Sequence, residues 1–334
     1  MKLVLATPEY GNERGGIGRY LYGIYSNLPA ERTLVLNDDK LFSGHWLFLI
    51  QRLFLKLRKY PDAVLHISHV LPYGTVALIL KILTGRKYII SLHGMDYFLA
   101  LGNTRKRFLL RWILKFASGV TANTESLRKL VEVFSKREVI VLYPSIPQTL
   151  IGSPLELRAE MPLRWLMLGR LVERKGFDTA IEALKFMPEA RITIAGDGPD
   201  RLRLEKLAAE SGFYDRVTFT GRVDDALKIK LFLEHDVFVL PTREIGSDKE
   251  GFGIVYLEAQ FFGLPVIGGE GIGVREAIHP DLRAHAIRHT PESLAQAIRD
   301  VGVKAPRISE LREFASNFEA KRQAQYFWKW FKHL

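Results

Sequence analysis

The chain reads as an α/β protein made of two doubly wound parallel domains. Short apolar runs alternate with longer runs of helical period along nearly the whole length, the pattern of parallel strands joined by helical crossovers. The alternation breaks once, where Tyr143-Pro144-Ser145-Ile146-Pro147 opens a stretch that reaches Pro162 and reads as the interdomain connection. The length of 334 residues, 47% of them hydrophobic, is enough for two cores at about 100–200 residues per domain.

The first series runs in order from a strand over 3–7 to a helix over 17–28, a strand over 33–36 and a helix over 45–59. A strand over 63–67, a helix over 74–83, a strand over 88–92 and a helix over 104–117 follow. Strands over 120–122 and 139–141, with a helix over 125–134 between them, complete it. The second series places strands over 165–168, 192–195, 217–220, 237–240 and 266–267, and helices over 177–186, 201–211 and 254–262. Tyr326, Phe327, Trp328, Trp330 and Phe331 mark a final aromatic helix. The divisions expected are 1–150, 151–315 and a closing segment over 316–334. In open α/β sheets ligands sit beyond the carboxyl ends of the strands, so those loops are where functional residues are sought.

Composition narrows the classes. Without cysteine there is neither a disulfide nor a thiolate site, which suits a reducing compartment. The opening run is too short for a signal peptide, and no apolar stretch of 18 residues predicts a spanning helix, so a cytoplasmic location is expected. The net charge of +11 is segregated: residues 1–150 hold 21 Lys and Arg against 10 Asp and Glu, and the remainder holds 27 of each. Such a basic half suits an anionic partner, with the inner face of a membrane as the candidate surface. Residues 45–59, where Arg52, Lys56 and Lys59 accompany Trp46, Leu49, Ile50, Leu53 and Leu57, are the better candidate for that contact. The stripe of Phe108, Leu109, Trp112, Ile113 and Phe116 beside Arg107, Arg111 and Lys115 reads first as core with a solvated basic face.

The most informative motif is Glu250-Gly251-Phe252-Gly253-Ile254-Val255-Tyr256-Leu257-Glu258. It sets one carboxylate at a glycine-rich helix start and another eight residues on, roughly 12 Å further along at about 1.5 Å per residue. That is comparable to the distance from hexose to ribose in a sugar diphosphonucleoside, and each carboxylate can accept hydrogen bonds from hydroxyls. Gly251 and Gly253 allow close backbone approach, and the first-turn amides offer positive potential to a diphosphate.

This arrangement resembles the paired-glutamate signature of retaining glycosyltransferases of family 4, with the GT-B fold. The resemblance implies two Rossmann-like domains facing across a cleft, the first binding the acceptor, the second the nucleotide sugar, with the last helix crossing back. It implies that Glu250 contacts the donor sugar and Glu258 the ribose, with Gly251, Phe252, Gly253 and Ile254 between them. In Gly169-Arg170-Leu171-Val172-Glu173-Arg174-Lys175-Gly176, the residues matching Arg170 and Lys175 would bind the donor phosphates in place of a metal. Gly15-Gly16-Ile17-Gly18 resembles the loop near donor phosphates and acceptor, which brings in Gly16 and Gly18; His93, before Gly94-Met95-Asp96, would lie near the hexose. Arg174 reads as a surface charge, Glu234-His235-Asp236 as a solvated loop, and Gly196 and Gly198 either as turn residues or as a nucleotide contact.

The activity implied is retaining transfer of a hexosyl unit from a UDP- or GDP-sugar to an acceptor hydroxyl on a glycan or lipid-linked carrier, without metal or other cofactor. The alternatives are a GT-B epimerase and a non-catalytic nucleotide-sugar binder. A dinucleotide site would use Gly18 and Asp38, but Gly-Gly-x-Gly departs from Gly-x-Gly-x-x-Gly and the loop over 8–14 is long for it. His66 and His69 show no acidic or third histidine neighbour in sequence, so no metal site is expected there. A nucleic-acid partner would leave Glu250 and Glu258 without a role and is not expected either.

Overall fold

The computed structural model describes residues 1–11, 15–146, 163–246, 248–285 and 290–334. Residues 12–14 of the loop before the first helix, and the interdomain connection from 147 to 162, lie outside the described residues. The chain forms two compact units, Met1–Pro147 with Ala320–Leu334, and Gln148–Glu319.

The first unit runs β1 (Leu3–Ala6), α1 (Gly15–Tyr25), β2 (Thr33–Leu36), α2 (Asp39–Phe42), α3 (Trp46–Leu57), β3 (Val64–Ile67), α4 (Thr75–Thr84) and β4 (Tyr88–Leu92). It continues through α5 (Met95–Leu101), α6 (Thr104–Phe116), β5 (Gly119–Ala122), α7 (Glu125–Ser135) and β6 (Ile140–Val141). The sheet is parallel, in the order β2-β1-β3-β4-β5-β6. β1, β3, β4 and β5 are buried along their length, as strands covered by helices on both faces must be, which is why they read as unbroken apolar runs.

The second unit runs β7 (Arg164–Leu168), α8 (Phe177–Ala183), β8 (Arg191–Ala195), α9 (Arg201–Glu210), β9 (Val217–Gly221), α10 (Asp225–Glu234) and β10 (Val237–Leu240). α11 (Ile254–Phe261), β11 (Val266–Gly268), α12 (Pro291–Lys304) and α13 (Ile308–Ser316) complete it, and its parallel sheet is ordered β11-β10-β7-β8-β9. The last helix, α14 (Ala320–Phe331), packs on α1, and its Phe327 and Phe331 join Leu3, Leu5, Leu21 and Ile24 in the core of the first unit. Burying two phenylalanines fixes that helix at roughly 1.5–3 kcal/mol each.

Four local expectations change. α2, α5, α10, α12 and α13 have no counterpart among the elements expected from the sequence, and Asp38, the acid a dinucleotide site would use, accepts from the Lys40 amide as the N-cap of α2. Arg52 is not a free surface cation: its Nη1 donates to the carbonyls of Lys40, Leu41 and Ser43, tying α2 to α3. On α6 the buried residues are Leu110, Ile113 and Leu114, while Phe108, Trp112 and Phe116 are exposed, so the aromatic stripe is not core. The segment expected as a solvated loop at 234–236 is instead a junction. Asp236 accepts from the Leu163 and Arg164 amides and from the Arg164 guanidinium, and His235 bonds the Leu231 carbonyl and the Thr193 hydroxyl, both residues being buried. Among the described residues no helix is long and apolar enough to cross a membrane.

Candidate active site

In the second unit, Glu250 lies four residues before α11, where the chain leaving β10 turns into the helix. Gly253 carries the turn with φ of +78°, and a Cβ there would come within 2.5 Å of the Tyr256 ring, so only glycine fits. No side chain caps α11; the Tyr256 amide donates to the Gly253 carbonyl at 3.0 Å, while the Ile254 and Val255 amides at the helix start have no side-chain cap. The Glu250 carbonyl accepts from the Ile272 amide at 3.0 Å and the Gly251 carbonyl from the Gly273 amide at 2.7 Å, which holds the loop against the segment after β11. The Phe252 ring packs on Phe318 with centroids 5.9 Å apart. Glu270, whose charge could have opposed a phosphate, is knitted by its backbone to Thr242 and is exposed.

The loop after β7 meets this turn. Lys175 and Arg174 both donate to Glu250 Oε2, and Arg174 also pairs with Asp248 at 2.9 Å. Glu250 is only 8% exposed. Burial alone would raise its pKa, but the charges and hydrogen bonds of Lys175 and Arg174 outweigh that and hold it below the ordinary value. Arg174 is therefore part of the site rather than a solvated charge, a role foreshadowed only by its place beside Lys175 in one tight turn. Arg170 is exposed and makes no hydrogen bond or ion pair with the described residues. Gly196 and Gly198 have a packing role: a Cβ would lie 1.9 Å from the Gly169 carbonyl oxygen, or 2.2 Å from that of Leu171, so they let the loops after β7 and β8 lie against each other.

Glu258, one turn into α11, is 2% exposed and accepts from Lys228 Nζ at 3.0 Å. Lys228 also lies 3.3 Å from Asp225. A signal for Lys228 existed in the sequence: with Leu231, Phe232 and His235 it forms the buried i, i+3, i+4, i+7 stripe of α10, and a lysine on a core stripe demands an anionic partner.

In the first unit, Gly16 lies exposed in the first turn of α1, and Gly18 is buried under the preceding loop, accepting from the Gly11 amide at 3.3 Å. His93 follows β4. Burial pushes its pKa down to about 4, and its Nε2 is buried without a hydrogen-bond partner. Asp96 Oδ1 accepts from the His93 and Tyr97 amides at 3.0 Å, while Oδ2 has no partner; burial raises its pKa. For His69 the expectation of no acidic or further histidine neighbour changes, since its Nε2 lies 4.0 Å from Glu9 Oε1 and its ring 5.9 Å from that of His93. His66 is different: Tyr25 and Ser91 occupy both ring nitrogens, which makes it a core histidine. Among the described residues, no group of three His, Asp or Glu could hold a metal ion.

Comparison with known proteins bears on both units. Residues 156–317 match the family described as Glycosyl transferases group 1, and residues 4–149 match Glycosyltransferase Family 4. The GDP-mannose-dependent α-(1-6)-phosphatidylinositol monomannoside mannosyltransferase of Mycobacterium tuberculosis is 37% identical over 175 residues, which is 49% of this chain and 43% of the relative's length. A phosphatidylinositol N-acetylglucosaminyltransferase chain of Arabidopsis thaliana is 25% identical over 325 residues, 89% of this chain and 66% of that protein. Among solved structures, Anabaena HepE in complex with UDP superposes with a TM-score of 0.82 at 19% identity, and the sucrose-phosphate synthase of Thermosynechococcus elongatus with 0.79 at 19%, each over the full length of both chains. The two parallel sheets and these neighbours establish the GT-B fold. With one matching family on each unit, this protein belongs to the group 1 glycosyltransferases.

Proposed function

We propose that this protein transfers a hexosyl unit from a nucleotide diphosphate sugar to an acceptor hydroxyl, with retention at the anomeric carbon and without a metal. The observation that carries the reading is the state of Glu250: a buried carboxylate, kept charged by Lys175 and Arg174, beside the uncapped start of α11. An acceptor group fixed in this way can orient sugar hydroxyls without reorganising during the reaction. When the bond from the anomeric carbon to the diphosphate breaks, the leaving group takes the electron pair. Arg170, exposed and unpaired among the described residues, is the cation available to it, and the first-turn amides of α11 add positive potential. Lys175 contributes while holding Glu250. The acceptor oxygen bonds to the anomeric carbon on the face the leaving group vacates, and its proton passes to a donor phosphate oxygen. Glu258 holds the ribose in this reading, with Lys228 beneath it.

GDP-mannose is the first donor to test, because the mycobacterial and corynebacterial relatives are named for it, and a glycolipid is the first acceptor for the same reason. An anionic membrane surface accompanies that acceptor. α4 packs on both α3 and α6, and the three helices expose Phe48, Leu55, Ile82, Leu83, Phe108 and Trp112 among lysines and arginines, a surface suited to acidic lipid. Thermal-shift titration with GDP-mannose, UDP-glucose and ADP-glucose, followed by product NMR with octyl α-D-mannoside, tests the reading. A stabilising nucleotide sugar and an α-linked product unaffected by EDTA are expected. An altered sugar nucleotide formed from donor alone would indicate the epimerase, and affinity without transfer the binder.

A further inference from the structure

The first unit holds a second polar constellation that the donor reading does not use. Glu9 follows β1 and His69 follows β3, two adjacent strands, at the carboxyl ends where open sheets bind ligands. Their side chains are part exposed, 41% for Glu9 and 18% for His69, and among the described residues neither Oε1 nor Nε2 has a hydrogen bond. At 4.0 Å the two atoms are beyond hydrogen-bond range of each other.

The hydroxyl network beneath them fixes which ring nitrogen carries the proton. Thr7 Oγ1 donates to the Glu9 carbonyl at 3.0 Å, and the Ser68 hydroxyl donates to Thr7 Oγ1 at 2.8 Å. The single Ser68 proton is thereby committed, so at its 2.9 Å contact with His69 Nδ1 the serine oxygen accepts and Nδ1 carries the hydrogen. Nε2 is left as a lone pair directed towards Glu9. Burial and the nearby His93, only partly offset by Asp96, push the His69 pKa down to about 4, so the ring is neutral at ordinary pH.

Two part-exposed hydrogen-bond acceptors at this spacing, neither hydrogen-bonded among the described residues, suit a ligand that brings donors, with the Tyr73 ring packed 5.9 Å from that of His69 beside them. A phosphate or carboxylate would be repelled. Adjacent hydroxyls of a sugar ring or cyclitol supply one donor to each. We infer that Glu9 and His69 form a hydroxyl-recognising subsite in the first unit, which binds a polyhydroxylated acceptor through a neutral imidazole and a carboxylate on neighbouring strands. The inference rests on the transferase reading and names residues for its acceptor half. His69 is a binding residue here, and Ser68 and Thr7 are positioning residues that set its tautomer.

The test uses the full chain, GDP-mannose as donor and octyl α-D-mannoside as acceptor. His69→Asn keeps a donor for Ser68 and removes the Nε2 lone pair, and Glu9→Gln puts an amide at an exposed position where folding is not at risk. Each is expected to raise the acceptor KM at least tenfold while leaving the affinity for GDP unchanged. Ser68→Ala, which frees the tautomer, is expected to raise it less. An acceptor KM within twofold of the parent in both variants, or a matching fall in GDP affinity, overturns the inference, as does a parent chain that binds GDP-mannose but never engages the mannoside. Failure of the parent to bind any nucleotide sugar would instead sink the transferase reading, so the two failures are told apart.

Discussion

The loop before α11 and the carboxyl ends of β1, β3 and β4 solve opposite problems with the same residue types. In the second unit each buried charge has a partner: Glu250 has Lys175 and Arg174, and Glu258 has Lys228. In the first unit, His93 Nε2, Asp96 Oδ2, His69 Nε2 and Glu9 Oε1 are left without hydrogen bonds among the described residues. The difference teaches that the buried charges of the second unit are paired within the protein, whereas the part-exposed Glu9 and His69 of the first are left for a ligand's hydroxyls. Substitutions should therefore cost stability in the second unit and ligand affinity in the first.

The largest effect expected is that of Glu250→Ala. It removes the sugar-orienting carboxylate and leaves the buried Lys175 unpaired beside the half-buried Arg174, which keeps Asp248, so turnover should fall about a hundredfold or more and stability by roughly 3 kcal/mol. Glu250→Gln, which keeps an acceptor oxygen, should lose turnover with a smaller drop in Tm. An alanine variant with unchanged Tm and more than a tenth of parental turnover would erase the contrast between the units. Next in size is the deeper pair. Lys228→Met or Glu258→Leu alone should destabilise by roughly 3 kcal/mol, and the double variant should recover most of it, since a buried pair replaced whole by apolar side chains costs little. Denaturant unfolding of the three proteins reads the coupling directly. Glu258→Leu should also weaken GDP-mannose binding, whereas Lys228→Met should do so only as far as the carboxylate moves.

The same contrast decides what could be read from the sequence. The strands of both sheets were legible because parallel strands buried on both faces leave continuous apolar runs, and the glycine-framed Glu250 and Glu258 stood out because only a turn needs Gly253 there. The short α2 and α5 were not, since a helix of one or two turns is set by caps and neighbours rather than by period. Nor was the function of Arg174, because adjacent cations in a turn look alike until one sees which carboxylate they share. The aromatic stripe of α6 was misread for a physical reason: Trp112 and Phe116 stack on each other under Lys115, covering themselves at the surface in a way that spacing cannot distinguish from burial in a core. His69 shows the limit of local sequence, for its partner Glu9 is brought alongside by strand pairing alone.

Acid should separate the units, with a smaller effect than either substitution. The His66, His69 and His93 values fall from 6.5 to about 3, about 4 and about 4 on folding, so below 6.5 the unfolded chain binds protons that the folded first unit refuses, and its stability declines as pH falls below 6.5. Glu250 is lowered from 4.5, so its contribution is complete above 4.5 and disappears only as pH falls through its depressed folded value. Hydrogen exchange at pH 7, 5.5 and 4.5 should therefore show the first unit, with three such histidines, loosening before the second, where His235 alone is lowered among the described residues. Simultaneous loss of protection in both units at pH 5.5 would contradict the assignment, and His69→Gln with His93→Gln should flatten the decline.

The smallest effect tests the surfaces rather than the sites. Lys56 and Lys59 are exposed near the end of α3, beside Leu55 and one helix from Ile82 and Leu83, while Arg52 is held by backbone carbonyls and cannot serve a lipid. Replacing Lys56 and Lys59 by glutamine should weaken sedimentation with vesicles of phosphatidylglycerol by roughly fivefold per charge at low salt, and Phe48→Ser should weaken it further by removing an exposed aromatic. The matching change in the second unit, Lys206→Gln with Lys230→Gln, removes two exposed cations from a unit with 23 Lys and Arg against 27 Asp and Glu and should leave sedimentation unaltered. Equal losses from both pairs would mean that vesicles respond to total charge, and the segregation of basic residues into the first unit would then have no part in where the protein works.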